Sequence, residues 1–146
     1  MPEQDPAFEI EVVPAERTRA FWSAGEREAL RAFYGFTVVW HEQSHDFAAT
    51  CEGRIVAALR LRIAASLAHV EGLAVTPEYR RRGIGRRLLA RGEDAASYYN
   101  CHKMTLLVPT RSASLAFFQA CDYHVEAVLA QHTFKIDMAV VRKFLL

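Results

Sequence analysis

Lysine is nearly missing from this chain: three lysines, at positions 103, 135 and 143, stand against fifteen arginines. Long apolar runs are missing too. No stretch approaches the ~18–20 apolar residues that a membrane-spanning helix needs. The opening MPEQDPAFEI has neither the basic start nor the apolar run of a secretory signal, so a cytoplasmic location is expected. Cysteine is sparse. Cys51, Cys101 and Cys121 are odd in number and form no Cys-x-x-Cys pair, which points to reduced, mostly buried thiols rather than a disulfide framework. Excess charge of either sign is absent as well. A net +1 gives no global pull toward nucleic acid or membrane. There is no internal repeat, low-complexity tract or linker, and 146 residues suit one domain, 1–146, with a sizeable core.

What is present is positive charge in one place. Six of the arginines lie between Arg80 and Arg91. A local basic cluster in a nearly neutral protein predicts one local anion. Nucleic-acid binding through the same cluster would require many phosphate contacts, and six to ten of these would lose about 10³–10⁵ in affinity between 50 and 200 mM salt. A single small anion would not. The near-zero net charge argues against nucleic acid.

The apolar pattern predicts a mixed α/β domain with meander and crossover parts. Ala7–Val13 alternates apolar with acidic residues, as a half-buried strand does. Two helical stretches follow, PAERTRAFW opened by Pro14 and EREALRAFYGF. From Phe47, FAATCEGRIVAALRLRI reads as two strands joined at Glu52-Gly53, and SLAHVEGLAV as a third. Ile84, Leu88, Ala95 and Tyr99 recur at helical spacing. KMTLLVP is a short strand, SASLAFFQAC a second amphipathic helix, and YHVEAVLAQHTFKIDMAVV two closing strands.

Two segments carry chemistry. TVVWHEQSHDF contains His41-Glu42-x-x-His45. On a helix this spacing sets both histidines on one face to hold zinc, with Glu42 as the base of a zinc-dependent hydrolase. No third ligand in a recognisable motif accompanies it; His69, Glu71 and His132 are the nominal choices. The same residues, with Trp40, could instead line an acceptor pocket or simply face solvent.

The second segment is LAVTPEYRRRGIGRRLL. A strand, a turn with Gly83 and Gly85, then a helix is the layout of a backbone anion site. Free amides and the helix dipole favour a phosphate or pyrophosphate, and glycine lets the backbone come close. The alternative is a solvated basic helix behind a plain turn. The P-loop is excluded because no Gly-Lys-Ser/Thr follows, and the dinucleotide fingerprint because position 88 is Leu88.

Arg80-Arg81-Arg82-Gly83-Ile84-Gly85 resembles the Arg/Gln-x-x-Gly-x-Gly/Ala signature of the Gcn5-related N-acetyltransferase (GNAT) family. VEGLAVTPEYRRRGIGRRLL is similar to that family's coenzyme-binding strand, loop and helix throughout, and the order of elements agrees over roughly residues 7–140. The resemblance implies the GNAT acyl-CoA N-acyltransferase fold, α/β with a mixed sheet of about six to seven strands flanked by helices. It implies acetyl-CoA as co-substrate, no metal, and an amine acceptor, whether a small molecule or a protein amine, attacked directly within a ternary complex. Homodimers are common in the family.

By position, Arg80, Arg81, Arg82, Gly83, Ile84, Gly85 and Arg86 would hold the pyrophosphate. The backbone of Leu73, Ala74 and Val75 would pair with the pantetheine arm. Period two on that strand puts His69, Glu71, Leu73 and Val75 on one face, so Glu71 and His69 are the candidates for the catalytic base. Phe118 stands where the family carries a tyrosine that protonates the departing thiolate. That leaves three alternatives: unaided departure, another donor such as Tyr123 or His132, or a non-catalytic acyl-CoA-binding module.

Overall fold

The computed structural model of the chain describes residues 7–38 and 41–145. Trp40, a candidate acceptor residue, lies outside them. The chain forms two compact bodies, residues 1–39 and 40–146.

The first body carries one helix. Ala7–Val13, expected as a half-buried strand, pairs with no other strand among the described residues. Phe8, Ile10 and Val12 are 85%, 101% and 103% exposed. Alternation prepares a segment for a sheet but does not supply the ladder that makes it a strand. The two expected helical stretches are a single helix, α1 (Ala15–Tyr34), begun after Pro14. Gly25 does not interrupt it, because one internal glycine costs about 1 kcal/mol and the flanking Ala, Arg and Glu are strong helix formers. Gly35 ends it at φ 76°, its amide donating to the Arg31 carbonyl at 2.8 Å.

The second body is a six-stranded sheet in the order β1-β2-β3-β4-β6-β5. Its strands are β1 (Gln43–Cys51), β2 (Arg54–Ala64), β3 (Leu67–Val75), β4 (Lys103–Pro109), β5 (His124–Thr133) and β6 (Ile136–Phe144). Two helices interrupt the series, α2 (Ile84–Tyr98) and α3 (Ala113–Ala120). Glu52 and Gly53 join β1 to β2 at φ 50° and 76°, as a two-residue hairpin with two left-handed positions requires. All neighbouring strands run antiparallel except β3 and β4, which are joined through α2.

The core lies on one face of the sheet, beneath α2 and α3. Leu59, Leu61, Val70, Met104 and Val141 meet Leu88, Leu89 and Ala96 of α2 and Phe118 of α3 there. Gly92 brings α2 close to the sheet. A Cβ at this position would stand 2.5 Å from Leu59 Cδ2 and 3.3 Å from Leu61 Cδ1. Gly92→Ala therefore gains about 1 kcal/mol of helix propensity but forces two fully buried leucines to repack, at about 1–3 kcal/mol. A net loss of about 1 kcal/mol is expected, seen as a lower urea midpoint at unchanged slope.

Candidate active site

Parallel pairing between β3 and β4 is short. Leu67, Ala68 and His69 face Lys103, Met104 and Thr105, and beyond them the two strands separate. Leu106–Pro109 continues against β6 and Leu73–Val75 against β2, so a cleft opens between β3 and β4 with its apex at His69. The Thr76 amide donates to the Val56 carbonyl at 2.8 Å, toward β2. By the alternation of a strand, the N–H and C=O groups of Leu73 and Val75 then point the other way, into the cleft. Those are groups in need of partners. The Val75 carbonyl finds one in the Arg80 side chain, whose Nε donates to it at 2.9 Å.

The start of α2 stands at the mouth of this cleft. Gly83 caps the helix at φ 77°, ψ 9°, and provides no side chain for its free amides. Arg87 is the first residue to bond back, to the Gly83 carbonyl at 3.1 Å, which leaves the amides of Ile84, Gly85 and Arg86 without helical acceptors. By contrast, α3 is capped by Ser112, whose hydroxyl accepts from the Leu115 amide at 3.2 Å. A left-handed residue followed by right-handed ones turns consecutive amides toward a common point, the arrangement of an anion nest. The first turn of α2 holds no acidic residue and carries Arg86 and Arg87. That sign opposes the helix dipole until an anion arrives. Arg81, at φ 61°, adds local strain in the same loop.

The arginines here brace the loop as well as charging it. Arg86 donates to the Ala120 carbonyl at the end of α3 (3.2 Å), and Arg82 stacks on Tyr79 at 5.1 Å. On the other flank of α2 lies a hollow of about 610 Å³, with an apolar floor that includes Val56, Ile84 and Leu88 and a rim of Arg82, Arg87 and Arg91. Its lining contains neither a carboxylate nor an imidazole.

The expected common face of His69, Glu71, Leu73 and Val75 is broken. Arg60 pairs with Gly72 and Leu61 with Val70, so Glu71 is an extra, bulged residue. After the bulge Leu73 and Val75 turn to the α2 side, where both pack against the core. His69 and Glu71 remain on the opposite face, beside Arg62. The bulge thus puts the side chains of His69 and Glu71 on one side of the sheet and those of Leu73 and Val75 on the other.

A row of partners crosses the whole sheet at the apex: Ser44, Arg62, His69, Thr105, Arg142 and His124, one from each strand. All are polar, and directly opposed residues share a face. Arg62 Nε lies 3.0 Å from Glu71 Oε1 and 3.8 Å from Glu42 Oε1. His69 is half-buried. Burial holds its pKa below the ordinary histidine value, the Arg62 charge adds to the depression, and Glu71 partly offsets it. A neutral imidazole at the apex of the cleft is a group ready to accept a proton.

The His41-Glu42-x-x-His45 reading does not survive. β1 begins at Gln43, inside the motif, so the helical face it needs does not form. His45 pairs with Leu61 on the core-side face and lies against the Tyr99 ring at 4.9 Å. Glu42 reaches Arg62 on the other face.

Phe118, at a position expected to bind the coenzyme, lies in the core. It is 4% exposed and packs edge-on against Tyr123 inside the core. The ring beside the loop is Phe117, which would meet a Cβ at Gly85 at 3.5 Å, next to Val75 at 3.6 Å. Two adjacent phenylalanines on a short helix differ by about 100° in direction, and their order alone does not say which one faces the cleft. Tyr123 is no proton donor either. It is 1% exposed and donates to Glu93 at 3.1 Å, while burial, with Glu93 adding to it, pushes its hydroxyl pKa far above the usual range. His132 lies near the end of β5 and bonds to Thr133 at 3.0 Å.

A sequence model of the acetyltransferase (GNAT) family matches residues 8–123, and the chain belongs to that family. No curated protein matches it. Among solved structures, an acetyltransferase from Bacillus cereus superposes with a TM-score of 0.75 at 16% identity, over 94% of this chain and 97% of its own. A GNAT-family acetyltransferase from Streptococcus pneumoniae gives 0.64 at 17%, over 69% and 66%. A Bacillus anthracis protein solved in complex with acetyl coenzyme A gives 0.66 at 18%, over 69% and 62%. At these identities the likenesses show the fold. Six strands, in the mixed arrangement expected, form its sheet. Among the described residues, no helix is long and apolar enough to cross a membrane.

Proposed function

We propose that this protein transfers the acetyl group of acetyl-CoA to a primary amine by direct attack within a ternary complex. The observation that carries the reading is the cleft between β3 and β4, with free amides at its mouth and His69, Glu71 and Arg62 at its apex. The amides of Gly83, Ile84, Gly85 and Arg86 take the pyrophosphate, and the cleft-facing backbone of Leu73 and Val75 pairs with the pantetheine amides. The thioester then arrives at the apex. His69 accepts the proton of the attacking amine, the new carbon–nitrogen bond forms, and the carbon–sulfur bond breaks. With phenylalanine at both 117 and 118, the sulfur leaves as thiolate. A thiol of pKa near 8.5 makes this a feasible departure at neutral pH.

Acetyl-CoA at 100 times its dissociation constant should raise unfolding stability by about 2.7 kcal/mol, read as a higher melting temperature. Zinc should give no comparable shift. A thiol-release screen of acetyl-CoA against a panel of amines tests turnover. Stoichiometric zinc in untagged protein, with no thermal response to acetyl-CoA, would overturn the reading.

One observation favours a second reading, that of a non-catalytic acyl-CoA-binding module. Neither Phe117 nor Phe118 can donate a proton, and the Tyr123 hydroxyl is committed to Glu93. Tight acetyl-CoA binding without turnover on any amine is the result that would select it.

A further inference from the structure

Arg62 is the residue that joins the two candidate bases. It stands directly opposite His69 in the β2–β3 ladder, and its Nε holds Glu71 at 3.0 Å. Glu71 can be held because the bulge turns it out of register toward the guanidinium. A second carboxylate, Glu42, waits at 3.8 Å on the same nitrogen. The side chain of Arg62 is 39% exposed, and ion pairs that open to solvent add little to stability. Its geometry is therefore poorly explained as a fold-holding contact. A neighbouring pair provides the contrast. Arg60 binds Asp46 through two nitrogens, at 2.7 and 3.1 Å, one step along the strand and away from His69.

We propose that Arg62 is a positioning residue for proton transfer, fixing the Glu71 carboxylate and keeping the His69 imidazole unprotonated between turnovers. This rests on the assignment of the apex as the reaction site. Two kinds of action are combined. The guanidinium orients Glu71 by a charge-assisted hydrogen bond, and its positive charge opposes protonation of His69. The flanking strands present few other charges to His69. Glu71 lies on its own strand and Thr105, uncharged, on β4. Glu42 reaches the group through Arg62, and the Arg60–Asp46 pair sits one step along β2. Arg142 on β6 and the Lys103–Glu126 pair (2.7 Å) are farther away, beyond the first flanking strand or in another row. Removing Arg62 leaves Glu71 as the dominant charge near the imidazole, so His69 becomes easier to protonate.

The experiment is a proton NMR titration of His69 in the full chain, with Arg62→Gln, Arg62→Lys and Arg60→Gln compared with wild type. Arg62→Gln should move the His69 titration to higher pH. Arg62→Lys, which keeps the charge but not the planar fork, should stay near wild type. Arg60→Gln should move it far less than Arg62→Gln. In turnover, Arg62→Gln should lose about tenfold in kcat at neutral pH, less than removal of the base itself, with acetyl-CoA affinity within about twofold of wild type. Raising the pH should recover most of that loss. A cooperative melt and native amide spectrum show that the variant is folded. An unmoved His69 titration in folded Arg62→Gln overturns the proposal, as do equal losses of kcat in Arg62→Gln and Arg60→Gln. The titration needs no acceptor. If wild type turned over no amine, the assigned reaction would fail while the titration still decided the role of Arg62.

Discussion

Gly83→Val should give a folded protein that no longer binds acetyl-CoA. The reason lies in the backbone, not in crowding, since a Cβ at Gly83 would meet nothing within 4 Å. Gly83 holds φ 77°, which costs an L-residue about 1–2 kcal/mol and a β-branched one more. The loop can escape by rotating this residue to negative φ, and the amides that follow then cease to converge. Convergent amides and the helix dipole are what the site offers to a pyrophosphate, so binding goes with them. The fold should persist, because α2 is anchored farther along, by Leu88, Leu89, Ala95 and Ala96. Gly83→Asn makes the distinction sharper. Asparagine visits the left-handed region routinely, and this variant should keep much of the affinity.

Gly85 acts differently. A Cβ there meets the Phe117 ring and Val75 at ordinary contact distance, so Gly85→Ala should be tolerated. Gly85→Val should press on Phe117 and narrow the cleft mouth. Calorimetry with acetyl-CoA, alongside thermal melts, reads all of these. Wild-type affinity in Gly83→Val would mean that the coenzyme does not sit on this loop.

The elements that could be read from sequence are those with strong local causes. Glu52-Gly53 marked its hairpin because both positions need positive φ, and KMTLLVP is β4 from first residue to last. The amphipathic run from Ile84 needed no tertiary information to be a helix. Errors arose where a long-range partner decides. Ala7–Val13 has the alternation of a strand but no ladder among the described residues, and the two stretches expected as separate helices form one, Ala15–Tyr34. The proposed anion loop is legible because its glycines and arginines sit together in the chain. The proposed reaction centre is only half legible in the sequence. His69 and Glu71 were found as polar residues on a strand, but Arg62, which binds one and faces the other, comes from β2 and has no motif. A one-residue bulge shifts the phase of all residues beyond it, and period-two counting cannot see it. The clue in hindsight is Gly72, beside Glu71 in an otherwise apolar strand, where glycine often accompanies a bulge. The choice between Phe117 and Phe118 turned on helix rotation against α2, another property set by packing.

His69→Ala should bind acetyl-CoA normally and lose about 10²–10⁴ in turnover at neutral pH, the range associated with a positioned general base. The assignment to His69 over Glu71 follows from their surroundings. Glu71 is already engaged, its Oε1 accepting from the Arg62 Nε at 3.0 Å. His69 is half-buried and held neutral by burial and by Arg62. The sign of the pH dependence follows. In wild type kcat/KM should fall as pH drops through the depressed His69 titration, at a pH below the ordinary histidine value of about 6.5. Glu71→Gln removes the one neighbour that favours the imidazolium, so that acid limb should move to still lower pH, and turnover at neutral pH should fall less than in His69→Ala. If the acceptor amine arrives already neutral, raising the pH should restore most of the His69→Ala rate, because no proton then needs to be taken. Steady-state rates from pH 5 to 10, with calorimetric affinities for each variant, separate binding from proton transfer. Wild-type turnover in His69→Ala at neutral pH would remove His69 from the mechanism. Loss of 10²–10⁴ in Glu71→Gln alone would instead assign the base to the carboxylate.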